Sequence, residues 1–139
     1  MSKIVPLERI EWEGEILAII LRKEWKTEDV AFFTDGDSFL QLGVLAHKKG
    51  KEIRPHIHRP RREIVEEIQE VLHIEEGRVE VNFYKKEKRI ASSILNSGDT
   101  ILLLRGGHGF KILEDSRIIE VKQGPYRDKR IDKEYLDKG

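Results

Sequence analysis

Two histidines, His56 and His58, are separated by one residue in the stretch "KEIRPHIH". Side chains on a β-strand alternate between its faces, so both imidazoles would project from one face, with Cα atoms roughly 6.6 Å apart. That arrangement suits two nitrogens that converge on one metal ion, whereas a helix would point the rings about 200° apart. The spacing therefore predicts a metal-binding pair on a strand. Two exposed histidines are an equally good interpretation of the pair taken alone.

Glu70 is a third candidate ligand because of the face on which it would lie. If Glu76 and Gly77 form the turn of a hairpin, the opposed residues on one face are Ile74 with Val79, Leu72 with Val81, and Glu70 with Phe83. This face is apolar except for Glu70. A carboxylate on an apolar inner face is costly unless it is paired or bound to a metal. We therefore predict that Glu70 is a ligand rather than a charge on a solvated strand.

His108 is the fourth candidate ligand, in "GDTILLLRGGHGF". It follows a turn by the length of one strand and lies beside glycines at a strand end, which favours a ligand over a core or turn histidine. Phe110 shares its face, as Phe83 shares that of Glu70, and we predict that these two rings line a substrate pocket. Plain core packing is the favoured interpretation of both phenylalanines, although the wall of a pocket is also core.

Arg54 precedes His56 by two residues and would share its face on a strand. Its guanidinium group could hold a substrate carboxylate or phosphate in bidentate fashion. An arginine that extends to the surface is the alternative interpretation.

The composition limits the site and its partners. The chain has no cysteine, so a metal ion must be held by imidazole and carboxylate groups. Lys and Arg total 26 and Asp and Glu total 26, so net charge gives no argument for nucleic acid or for an anionic membrane. No run of about 18 apolar residues and no signal peptide is visible, and we expect a cytoplasmic protein that binds a small molecule.

Short β-type segments with turn signals between them predict a single all-β domain, a sandwich or barrel. We expect the barrel over residues 1–126 and a charged tail over residues 127–139, with at most a short helix. Two strands are expected on either side of the turn "NSGD", and a further strand in "KEIRPHIH". A helix over "RREIVEEIQEVLHI" is disfavoured because its end leads without a cap into the alternating "RVEVNFY".

The spacing of these candidates is similar to the two motifs of the cupin superfamily, G-x5-H-x-H-x3,4-E-x6-G and G-x5-P-x-G-x2-H-x3-N. Five residues lie between Gly50 and His56, and six between Glu70 and Gly77. Other flanking stretches resemble small single-domain bacterial and archaeal cupins. The chain departs from the pattern in three ways: residues 59–69 form a longer connection, Leu104 replaces the proline, and Ile112 replaces the asparagine after a histidine that comes one residue early.

The resemblance implies a double-stranded β-helix, or jelly-roll barrel, that holds a divalent transition metal (Fe, Mn, Ni or Zn) through His56, His58, Glu70 and His108. Open coordination positions would suit a metal-dependent dioxygenase or a sugar isomerase or epimerase acting on a small polar or anionic molecule. The alternatives are a non-catalytic binding or sensing cupin and a metal-free sugar epimerase. A homodimer formed through edge strands is also implied. The apolar run "ILAIIL" could supply such an edge, or could be buried core.

Overall fold

A computed structural model describes residues 6–136 of the chain. These residues form eight β-strands and one short helix, with the bounds β1 Leu7–Trp12, β2 Glu15–Leu21, β3 Val30–Phe32, β4 Gly43–Leu45, β5 Glu70–Lys85, β6 Lys88–Asn96, β7 Thr100–Leu103, β8 Gly107–Lys122 and α1 Lys129–Asp132. The all-β prediction is confirmed. The turn expected at "NSGD" separates β6 from β7, and the short helix lies in the charged tail, as predicted.

Six strands form one antiparallel sheet that curls into a half-barrel. The long strand β5 lies inside this sheet and pairs along its length with β8. On its other side β5 pairs first with β7 and then with β6, so that β6 and β7 act as one interrupted partner strand. Strands β2 and β1 extend the sheet beyond β7. Strand β8 therefore lies at one border of the sheet.

The expected hairpin turn at Glu76 and Gly77 is wrong, because β5 runs through this position without reversing. The pairing of β5 with β8 is irregular here, and Gly77 has φ +104. A side chain at Gly77 would overlap Ser116 of β8, so only glycine allows the two strands to approach. Irregular pairing of this kind bends a strand and increases its twist. The sequence signal thus marks a bend in one strand.

The inner face predicted for this region is confirmed despite the missing turn. All six residues assigned to it are buried: Glu70, Leu72, Ile74, Val79, Val81 and Phe83. Strand alternation continues on both sides of the bend, so the apolar residues still point to one side. Together with Leu17, Ile20, Leu95 and Ile101 they form the main core.

A buried ion pair connects the ends of three strands. The Arg22 guanidinium donates to the Asp99 carboxylate (3.1 Å) and to the backbone carbonyl of Ile94 (2.5 Å). Asp99 also accepts from the backbone amides of Lys23 and Asn96. Since both charges are almost fully buried, each depends on the other for its solvation.

The apolar run "ILAIIL" is core and not a dimer edge. It lies in β2, which is paired on one side with β1 and on the other with β7. Residues 17–20 are almost completely buried. The outer face of this part of the sheet is covered by residues 33–42, which connect β3 to β4.

The strand predicted for "KEIRPHIH" is absent from the structure. Residues 51–69 contain no strand or helix, and almost all of them are exposed. Pro55 and Pro60 lack the N–H group that a paired strand must donate, and their neighbours are charged. No helix within residues 6–136 is long and apolar enough to cross a membrane.

Candidate metal centre

Glu70 begins β5 on the inner face of the half-barrel. Its backbone is paired with Leu103 on one side and with Lys122 on the other. The residue is 8% exposed, so its carboxylate is held among apolar neighbours and needs a partner. The structure thus places Glu70 where the parity argument predicted.

His108 is that partner. Its Nε2 atom lies 2.6 Å from Oε1 of Glu70, and about a third of its side chain is accessible. Within the sheet, however, His108 is paired with Phe83, at the far end of β5. The two ends of the β5–β8 ladder therefore meet because the sheet curls at the bend near Gly77. Two of the four predicted ligands are thus in contact where the two ends of this ladder meet, a place that we call the mouth of the half-barrel.

Glu120 and Lys122 complete the charged cluster at this mouth. Glu120 is paired with Leu72 and Lys122 with Glu70, so both side chains lie on the inner face of β8. The Glu120 carboxyl is hydrogen-bonded to Glu70, and Lys122 is close enough to act on both acids. The mouth therefore combines two carboxyls, an imidazole and an ammonium group.

The two carboxyls have opposite pKa shifts. Burial favours the neutral form of Glu70, but its hydrogen bonds with His108 and Glu120 and the nearby positive charge outweigh burial and lower its pKa to about 2. The hydrogen bond to Glu70, followed by burial, raises the pKa of Glu120. Glu70 is thus the charged member of the pair, and Glu120 is the one that more readily keeps a proton.

His56 and His58 lie apart from this cluster, in the exposed segment 51–69. Their ring centroids are 5.3 Å apart, and Nδ1 of His56 is 2.7 Å from the carbonyl oxygen of Arg54. Because a carbonyl only accepts, Nδ1 of His56 donates in this contact, and Nε2 is the ring nitrogen left for a metal ion. That is the tautomer a metal ligand needs.

The four predicted ligands form two pairs rather than one set. Within residues 6–136, no three His, Asp or Glu side chains are placed to share a metal ion. The first pair is built into the sheet, and the second is carried by a segment without strand pairing.

The predicted substrate-binding residues are also divided. Phe83 is buried in the core and is the cross-strand neighbour of His108. Phe110 is 40% exposed, and its ring centroid is 5.4 Å from that of His108. Arg54 is exposed in segment 51–69, and among the interactions described only its backbone takes part in one, with His56.

The sequence argument missed Glu120 and Lys122. The signal that could have found them is the alternation of Ile118, Glu120 and Lys122 in "SRIIEVKQ", where two charges continue an apolar face. Without the β5–β8 pairing, nothing connects that alternation to Glu70.

Comparisons with protein-family models, with curated proteins and with solved structures find no match to this chain. The class of protein is therefore given by its own structure: an all-β protein with a curled antiparallel half-barrel sheet.

Proposed function

We propose that this chain is a metal-binding barrel protein of the cupin type, whose ion is held by Glu70 and His108 together with His56 and His58. The observation that supports the proposal most strongly is the 2.6 Å contact between Glu70 and His108. A motif resemblance selected these residues from positions 38 apart in the sequence, and the fold brings them together on an apolar wall.

The donor chemistry fits a divalent transition ion. One carboxylate and several imidazoles suit Fe, Mn, Ni or Zn, and the free Nε2 of His56 is correctly prepared as a ligand. The geometry is incomplete, since the two pairs are separate among residues 6–136. A four-ligand site thus requires segment 51–69 to approach the mouth, as a jelly-roll barrel would require.

A bound ion with open positions would act as a Lewis acid or activate dioxygen, which suits a dioxygenase or a sugar isomerase or epimerase. The chain's own residues would bind and orient the substrate. Phe110 forms an accessible apolar wall beside His108, and Lys122 supplies a positive charge for a polar or anionic small molecule. Arg54 would add a second cation if it approaches with His56.

Metal-free chemistry is the second candidate, and one observation favours it. The Glu70 carboxylate contacts His108 directly, which is how a carboxylate orients a histidine that exchanges protons with a substrate. A metal-free epimerase would use this pair without His56 and His58. A non-catalytic binding protein would use the same mouth to hold a ligand without turnover.

Elemental analysis of protein purified without an affinity tag tests the proposal. We expect about one transition ion per chain in the wild type and a large loss in His56→Ala, His108→Ala and Glu70→Gln, because each removes a donor. His47→Ala is the matched control, since His47 is exposed and lies outside both pairs. Sub-stoichiometric metal in the wild type, or equal metal in all five proteins, would overturn metal binding.

Dimer formation is part of the same proposal and rests on β8. Among the described strands, this 16-residue strand pairs only with β5, so one of its edges retains unpaired backbone groups. Exposed apolar side chains follow its length: Phe110, Ile112, Ile119 and Val121. Sedimentation analysis should give twice the chain mass, and a lysine in place of Ile119 should shift it toward the monomer.

A further inference from the structure

The positive charges of this protein are concentrated in one segment, although the whole chain is electrically balanced. Residues 47–62, here called the basic segment, carry seven Lys or Arg and a single Glu. The remainder of the chain therefore has 19 Lys or Arg (26 − 7) and 25 Asp or Glu (26 − 1), so a negative body carries a positive segment. Exposed blocks of like charge commonly bind a partner of the opposite charge.

Every residue of the basic segment is exposed. Within residues 6–136 its polar interactions are all local: the Lys51 amide donates to the Lys48 carbonyl, His56 contacts the Arg54 carbonyl, and Arg61 pairs with Glu63. Among the residues that the structure describes, Arg61 is thus the one cation of the seven with a carboxylate partner. The others are accessible to an external anion.

The three glutamates that follow the basic segment, Glu63, Glu66 and Glu67, offset no more than half of its charge. The Glu67 carboxylate lies beside the barrel, 3.5 Å from the guanidinium of Arg105. The pair between Arg61 and Glu63 is solvated on both sides and is therefore weak. Contact with the barrel thus resumes at Glu67, and the excess positive charge lies before it.

The residue types in the basic segment favour the phosphates of a duplex over other anions. Four of its seven cations are arginines, whose planar guanidinium groups can donate to two phosphate oxygens at once. The segment contains no Trp, Tyr or Phe. It therefore lacks the rings on which unpaired bases stack and the rings that anchor a segment at a membrane surface. A duplex, whose bases are already stacked, requires neither.

We propose that the basic segment binds the phosphate backbone of double-stranded nucleic acid, independently of base sequence. Pro55 and Pro60 keep the segment out of a strand ladder, so its side chains stay accessible along an extended backbone. Each Lys or Arg that neutralises a phosphate releases a counterion, and the affinity therefore falls steeply with salt. This binding goes beyond the metal site and needs no bound ion.

Fluorescence anisotropy of a labelled DNA duplex of about 20 base pairs tests this binding. The full chain, treated with a chelator, is titrated into the duplex at several salt concentrations between about 50 and 200 mM. We expect the logarithm of the affinity to fall linearly with the logarithm of the salt concentration, with a slope of about −3 to −6, because each phosphate contact contributes about −0.9. A second duplex of unrelated sequence should bind equally well.

A triple variant, Arg59→Gln with Arg61→Gln and Arg62→Gln, removes three neighbouring cations and leaves the proposed metal ligands unchanged. All three side chains are exposed, so the fold should be retained. At about 100 mM salt the affinity should fall by about thirtyfold or more, and the salt slope should become shallower by about 2–3 units.

The matched control removes the same charge from the barrel and the tail. Lys86, Lys111 and Lys129 are exposed and lie outside the basic segment. Replacing all three with Gln should change the affinity by less than about threefold and leave the salt slope nearly unchanged.

Equal losses of affinity in the two triple variants would overturn the assignment to the basic segment, as would an absence of binding at about 50 mM salt. Phosphatidylserine vesicles, and sedimentation of the protein alone at the same salt, test the other anionic partners. Tighter binding to the vesicles than to the duplex would overturn the proposal in favour of a membrane surface. Self-association that the arginine variant abolishes would overturn it in favour of a second copy.

Discussion

The paired strands β5 and β8, here called the β5–β8 wall, carry two predicted ligands, and segment 51–69 carries the other two. The two regions differ in almost every structural respect. In the wall, each candidate lies on a paired strand, and Glu70 and His108 are in contact. In the segment, His56 and His58 are exposed and no strand supports them. Ligand spacing alone therefore does not build a site; each ligand also needs a strand whose backbone is paired on a fixed register.

The largest expected difference between these regions is in packing. Phe83 in the wall is 1% exposed, and Ile57 in the segment is 88% exposed. Phe83→Ala should lower the free energy of unfolding by about 3–5 kcal/mol because it leaves a cavity in the core, while Ile57→Ala should change it by less than about 0.5 kcal/mol. Urea denaturation measures both. A cost above about 2 kcal/mol for Ile57→Ala would show that the segment packs against the barrel in solution.

The loss of stability on breaking an ion pair should differ almost as much between the barrel and the segment. Asp99→Ala leaves the buried Arg22 without its partner and should cost about 3 kcal/mol or more. In the segment, Glu63→Ala breaks the exposed pair with Arg61, and its effect should be near zero. The same denaturation experiment applies. Similar costs for the two substitutions would contradict the assignment of one pair to the core and the other to solvent.

The pH dependence of stability tests the wall alone. The folded-state pKa of Glu70 lies below its ordinary value of 4.5, at about 2. Its charge therefore stabilises the fold above about pH 4.5, and this contribution is lost as the pH falls toward 2. Because the mouth is partly open to solvent, the advantage of the chelated wild type over Glu70→Gln should shrink by about 1–2 kcal/mol over this range. Parallel pH profiles for the two proteins would contradict the contact with His108.

The smallest expected effect is the protection of segment 51–69 from proteolysis by a metal ion that both regions bind. Trypsin should cut the chelated protein after Arg61 and Arg62, in the exposed segment. If His56 and His58 join Glu70 and His108 around an ion, saturating metal should slow this cleavage by about fivefold or more. His56→Ala should lose the protection. Metal that binds without protecting the segment would assign the ion to the wall only.

The inner face of β5 could be predicted from sequence because alternation is a local property. Residues on both sides of Gly77 keep their period of two, so Glu70 and Phe83 were assigned to one face correctly. The same local signal could not distinguish a hairpin from a bend. A glycine with positive φ fits both, and the choice depends on whether β8 is present to pair with the whole of β5.

The rest of the site depends on long-range pairing. Glu120 and Lys122 reach Glu70 only because β8 runs antiparallel to β5, and no local pattern gives that register. For residues 51–58 the sequence argument predicted a strand that is absent from the structure. The pattern allowed a strand, but alternation cannot tell whether a partner edge exists, and Pro55 and Pro60 oppose pairing.

Because of the bend at Gly77, the Glu70–His108 contact joins two positions that are far apart along the β5–β8 pairing. His108 is opposite Phe83, which is 13 positions beyond Glu70 (83 − 70 = 13), so a straight β5 would hold the two groups roughly 43 Å apart. Their contact therefore reports the curvature of the whole sheet. A spectroscopic probe at this pair would detect any straightening of the wall, including one produced by a distant substitution, before the core itself came apart.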